Sequence, residues 1–154
     1  MAKQFLTRRA ALLLAGATLL PMAARADERP RITVHRDPNC DCCTGWIEHL
    51  ERAGFPVTRI ETGELDKIKT QLGVPEELAA CHTAEGGGYV FEGHVPAAAI
   101  VRLLAERPQA RGLAVPGMPM GSPGMSGPPE TYDVVLFGPQ LKQTFARFRG
   151  EKGI

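Results

Sequence analysis

The sequence is poor in three respects, and each shortage excludes a class of protein. It has four cysteines in 154 residues, too few for a scaffold stapled by disulfides. It has no apolar run near the roughly 20 residues that a membrane-crossing helix requires. The longest, residues 10–20, is cut off by Pro21. It also lacks a surplus of basic charge, with 18 Lys and Arg against 17 Asp and Glu. A nucleic-acid partner leaves a basic stripe or surplus, so that class is set aside. No internal repeat and no second domain can be read. With 44% hydrophobic and 23% charged residues, the composition suits one folded domain.

What is present begins with an export signal. Lys3, Arg8 and Arg9 precede the apolar stretch, and Ala24-Arg25-Ala26 fits a small-x-small cleavage site. Residues 1–26 are therefore read as a cleaved signal peptide, and residues 27–154 as a single mature domain opening at Asp27. Thr7-Arg8-Arg9 also fits a twin-arginine signal, which leaves the export route open. Cleavage removes four basic residues and no acids. The mature chain keeps 14 basic against 17 acidic residues, a net charge of −3, and no stable membrane span.

Hydrophobic periodicity divides the mature domain. Residues 31–35 read as a strand, with a turn at Asp37-Pro38-Asn39. Residues 43–53 read as a helix with Trp46, Ile47, Leu50 and Ala53 on one face, stopped by Gly54. Residues 57–60 form a second strand, and 64–72 a second helix carried by Leu65, Ile68 and Leu72 and ended by Gly73. A short strand near 81–84, a Gly86-Gly87-Gly88 turn and a strand at 89–91 follow. Pro96 opens a helix over 97–105. The predicted order, βαβαββα, is that of thioredoxin, an α/β fold on a mixed sheet. Residues 112–129 then hold ten Gly or Pro in 18 positions and read as a surface loop without regular structure. Residues 132–137 form a strand, Gly138-Pro139 turns, and 143–148 return as a hairpin partner or a short helix.

Three of the four cysteines fall in Cys40-Asp41-Cys42-Cys43, where the first strand hands over to the first helix. Free N–H groups and the positive end of a helix dipole favour thiolate there, the form that binds soft metals and attacks disulfides. A Cys42–Cys43 or Cys40–Cys42 bridge opposes normal disulfide geometry, whereas Cys40–Cys43 is feasible and leaves Cys42 free to pair with Cys81. In thioredoxin order the segment entering the third strand faces the C-x-x-C turn, which brings Cys81 opposite the other three. Four thiolates can hold zinc, an iron–sulfur cluster or Cu(I). Three sulfurs in four residues plus a distant fourth suit a polynuclear thiolate cluster better than one tetrahedral zinc, and softness points to Cu(I).

The mature chain's methionines, Met118, Met120 and Met125, all lie in the Gly/Pro loop. They serve either as soft thioether ligands or as flexible packing. His82, beside Cys81, is a candidate ligand, and His94 a weaker one that could equally cap a helix entrance. His49 reads as a surface residue, His35 as strand lining and Trp46 as core.

Several segments together resemble a known family. They are residues 37–46 with His49-Leu50, then Cys81-His82-Thr83-Ala84, residues 88–97, and residues 112–119 with 121–125. They are similar to the CopG-like periplasmic copper-resistance proteins, small exported proteins of thioredoxin-like fold, over nearly all of residues 31–148. The resemblance implies a periplasmic copper protein. In it Cys40, Cys42, Cys43 and Cys81 form a copper–thiolate cluster, and copper is sequestered or interconverted between redox states, so a copper oxidoreductase activity stays open. It also implies copper ions and other periplasmic copper-handling proteins as partners. Asp41 stands where many relatives have glycine, and Met120 is an added methionine. The rival reading is a metal-free thiol–disulfide oxidoreductase using Cys40 and Cys43, and a third is a passive zinc module.

Overall fold

The computed structural model describes residues 29–154, so the signal-peptide reading of residues 1–26 and the cleavage before Asp27 lie outside the described residues. The chain runs β1 (Ile32–Arg36), α1 (Asp41–Arg52), β2 (Val57–Glu61), α2 (Leu65–Leu72), a 3-10 turn (Glu76–Leu78), β3 (His82–Gly86), β4 (Tyr89–Gly93) and α3 (Ala97–Glu106). It continues through β5 (Gly112–Val115), β6 (Thr131–Gly138), β7 (Leu141–Arg149) and β8 (Lys152–Gly153). The first seven regular elements follow the βαβαββα order expected from the sequence.

Among the described residues the strands join in one mixed sheet of eight, ordered β2-β1-β3-β4-β5-β6-β7-β8. β1 and β2 are parallel, β3 runs antiparallel to both β1 and β4, and β4 pairs with β5 in parallel. Period-two alternation sends neighbouring residues to opposite faces. Phe91, Leu113 and Leu136 join the core that α1 and α3 cover with Trp46, Ile47, Leu50, Ile100 and Leu103. Val90, Ala114 and Phe137 face the other way, against Leu72, Val74 and Leu78. Each buried side chain of Leu, Ile or Phe size contributes about 1.5–3 kcal/mol relative to exposure.

Local chemistry sets the boundaries. Gly87 and Gly88 both take positive φ, 59° and 90°, which a two-residue turn between antiparallel strands requires. Gly73 ends α2 in the left-handed conformation. One expectation is corrected: residues 112–129 are not wholly irregular, because residues 112–115 are β5, buried throughout. The apolar run Leu113-Ala114-Val115 has the strand character, and Gly112 is there because a Cβ would fall onto the Val90 carbonyl. The Gly/Pro density proper starts at Pro116. Of the two options for residues 143–148, the hairpin holds: β7 pairs along the whole of β6, with a bulge at Val134/Val135.

Candidate metal centre

β1 ends in a tight turn, in which the Asn39 N–H donates to Asp37 Oδ1 (2.8 Å) and the Cys40 N–H to Asp37 O (3.2 Å). Cys40 then stands as the N-cap of α1, with extended φ and ψ of −89° and 95°. The helix starts at Asp41 rather than at Cys43, which puts Cys42 and Cys43 inside its first turn. The N-cap makes no side-chain hydrogen bond, so no capping oxygen competes with the sulfurs for the N–H groups of this end. Cys43 is fully buried, while Cys40, Cys42 and Cys81 are half-buried.

Cys81 arrives from the far side, between the 3-10 turn and β3. Its Sγ lies 3.7 Å from Cys42 Sγ, and Cys42 Sγ lies 3.4 Å from Cys40 Sγ. Cys40 and Cys43 are joined in a disulfide, the feasible bridge among the three cysteines of residues 40–43, and Cys42 and Cys81 are free thiols. The ligand atoms of all four cysteines lie within 4.8 Å of one another. Burial, with Cys42 close by, pushes the Cys81 thiol up to about 12. Cys81 sits at a strand entrance, not at the helix N-terminus that favours thiolate.

Two histidines complete the cluster around Cys81. His94 Nε2 lies 3.1 Å and His82 Nδ1 3.3 Å from its Sγ, and both rings are fully buried. His94 Nδ1 sits 2.6 Å from the Pro123 carbonyl, which can only accept. Nδ1 therefore carries the proton, and a lone pair on Nε2 faces the sulfur. Burial holds His94 below the ordinary imidazole range, and burial with His94 nearby holds His82 well below it. His82 Nε2 finds no hydrogen-bond partner among the described residues. Trp46 packs at a tilt against His82, ring centroids 4.3 Å apart, and donates its Nε1–H to Val95 O, so it both fills the core and walls the site.

The Gly/Pro loop closes over this site. Pro123 binds His94, and Gly124 packs so tightly on α1 that its Cβ would come within 2.6 Å of Cys42 O. Met125, half-buried, follows directly, whereas Met118 and Met120 are 42% and 38% exposed. Three features differ from or add to what the sequence leads one to expect. His49 is not a surface residue: its Nε2 accepts from the Ala97 N–H at the start of α3. Lys69 is buried in an ion pair with Glu92 (2.5 Å), and Glu92 Oε1 also accepts from the Ala80 N–H next to Cys81. Arg36 is buried beneath the cysteine turn. A signal for Arg36 was available, since it continues the inward alternation of Ile32 and Val34.

A family described as "Protein of unknown function, DUF411" matches residues 78–125. Two solved structures of Copper resistance protein CopG are similar at 44% identity and a TM-score of 0.74. Form 2 is matched over 79% of this chain and 99% of its own, and form 1 over 80% and 100%. No curated protein matches the chain.

Proposed function

The chain belongs to the CopG family of copper resistance proteins, and from that premise we propose that it is an exported, periplasmic protein holding Cu(I) in a polynuclear thiolate cluster. Cys40, Cys42, Cys43 and Cys81 are the proposed ligands, and the role is sequestration or redox interconversion of copper. The observation that carries this reading is the meeting of four sulfurs within 4.8 Å. Such a donor set is soft and favours Cu(I) over harder ions. His94, with its lone pair toward Cys81, and the buried His82 are the proposed additional ligands. The parallel β1–β2 pair, the antiparallel β3–β4 hairpin and the turn leading into α1 support a thioredoxin-like reading of the fold.

The Cys40–Cys43 bridge gives the site a redox side. Two electrons and two protons convert the bridge to two thiols, and Cu(I) then displaces the thiol protons, including the firmly held one on Cys81. Two Cu(I) ions giving up one electron each would reduce the bridge to two thiolates and leave two Cu(II); the reverse step would remake it. Met118 and Met120, exposed beside the closed part of the loop, are suited to exchanging Cu(I) with other periplasmic copper-handling proteins, and Met125 to shielding the cluster. A second reading, favoured by the same bridge, is a metal-free thiol–disulfide oxidoreductase using Cys40 and Cys43.

Metal loading separates the two. Mature protein is reduced, loaded anaerobically with Cu(I) or Zn(II), and its metal-to-protein ratio measured beside a Cys81→Ser variant. Several coppers per chain, mostly lost with Cys81, is the expected result. A trace of copper together with reduction of protein disulfides would establish the oxidoreductase instead.

A further inference from the structure

β1 places Ile32, Val34 and Arg36 in turn on the face beneath α1, and Arg36 keeps only 7% exposure there. A guanidinium remains charged at any pH a protein meets, so its charge has to be met within the fold. Its partners are all neutral oxygens. Nη1 donates to Thr44 Oγ1 (2.5 Å), Nη2 to Pro38 O (2.8 Å) and Nε to Asp37 O (3.1 Å). Among the described residues Arg36 joins no ion pair. It also donates to Thr44 in the first turn of α1, where the helix dipole is already positive. A buried cation in that position without an anion is costly. The other buried cation near the site, Lys69, already has its carboxylate in Glu92.

The contacts of Arg36 bracket the cysteine turn. Asp37 and Pro38 precede Cys40, and Thr44 follows Cys43, so one planar fork ties the entry of the turn to its exit. In the sheet Arg36 stands opposite His82, the neighbour of Cys81. We propose that Arg36 is a positioning residue and the built-in countercharge of the cysteine site. Its fork fixes the two ends of the turn, and its charge favours anionic thiolates, free or copper-bound, over the neutral disulfide. The copper part of this inference rests on the proposed Cu(I) site; the countercharge part does not.

Two measurements test it on the mature protein, Arg36→Gln and Arg36→Lys. Metal-free samples are equilibrated in dithiothreitol redox buffers to obtain the Cys40–Cys43 potential. Loss of the cation is expected to shift the equilibrium about tenfold toward the disulfide, about 30 mV more negative for a two-electron couple, and lysine restores most of that shift. Cu(I) affinity, read by competition with a colorimetric chelator, is expected to fall about tenfold or more in Arg36→Gln. It recovers only in part with lysine, which cannot span three acceptors. An unchanged potential in Arg36→Gln, or a lysine variant as low as the glutamine one, overturns the countercharge. A shifted potential in a protein that binds no Cu(I) sinks the copper reading and leaves the countercharge standing. If Arg36→Gln does not fold, Thr44→Val carries the test. It keeps the cation but removes its acceptor on α1, and Cu(I) affinity should fall about threefold or more. An unchanged affinity there overturns the pinning role.

Discussion

Lys69 and Glu92 show how much one residue can carry. Lys69 is 7% exposed and bonds Glu92 Oε1 at 2.5 Å and Thr83 Oγ1 at 2.8 Å, while Thr83 Oγ1 donates to Glu92 Oε2 at 2.6 Å. The same carboxylate accepts the Ala80 N–H, so the pair fixes the backbone from which Cys81 projects. Burial nevertheless raises the Glu92 carboxyl above its ordinary range, against the pull of Lys69. Lys69→Met leaves that carboxylate buried with no cation and is expected to cost about 3–5 kcal/mol at neutral pH. The deficit should narrow toward pH 5, because an unpaired Glu92 takes up a proton in the fold before it does in the unfolded chain. Urea denaturation at the two pH values checks both statements. A loss that is equal at both would place the damage in packing, not in the stranded charge.

At the scale of the element, the contact to examine is that between α1 and the Gly/Pro loop. Gly45 occupies a helix interior, where replacement by alanine usually gains about 1 kcal/mol. Here an added Cβ would come within 2.8 Å of the Gly124 Cα, and backbone cannot yield as a side-chain end can. Gly45→Ala is therefore expected to destabilise the loop's seat, seen as faster proteolysis within residues 116–129 and weaker Cu(I) retention. Slower proteolysis would mean that helix propensity outweighs the contact. The same pair shows what the sequence could reveal. The expected element order brought Cys81 opposite the cysteine turn, and the glycine run marked the hairpin. Periodicity identified the buried face of α1, which depends on near neighbours. It mistook β5 for loop, since proline and glycine on its C-terminal side outweighed a four-residue apolar strand. The meeting of Gly45 with Gly124 and the burial of Lys69 depend on contacts distant in the chain. The Leu65, Ile68 and Leu72 face expected of α2 is only half-buried, and its one buried residue is the lysine.

For the whole molecule the sum of buried imidazoles sets the response to acid. His82, His94 and His49 are all held below the ordinary value of 6.5, with burial the largest cause in each case. His49 has a further reason to stay neutral, since protonated Nε2 could no longer accept the Ala97 N–H. Between 6.5 and their lower values in the fold, the unfolded chain binds more protons than the folded one. Stability therefore falls as pH drops below about 6.5, by up to about 1.4 kcal/mol per pH unit for each histidine. Glu92 works in the opposite sense: raised above 4.5, it takes up its proton first in the fold and gains stability as pH falls. One carboxyl against three imidazoles leaves a net loss. Urea midpoints of the metal-free, disulfide-closed protein should be level between pH 7 and 8 and decline from pH 6.5 to 5.5. His49→Gln, which keeps an acceptor for the Ala97 N–H but does not titrate, should flatten that decline without removing it. A level profile down to pH 5.5 in the parent protein would mean that the fold admits protons to these rings as freely as water does.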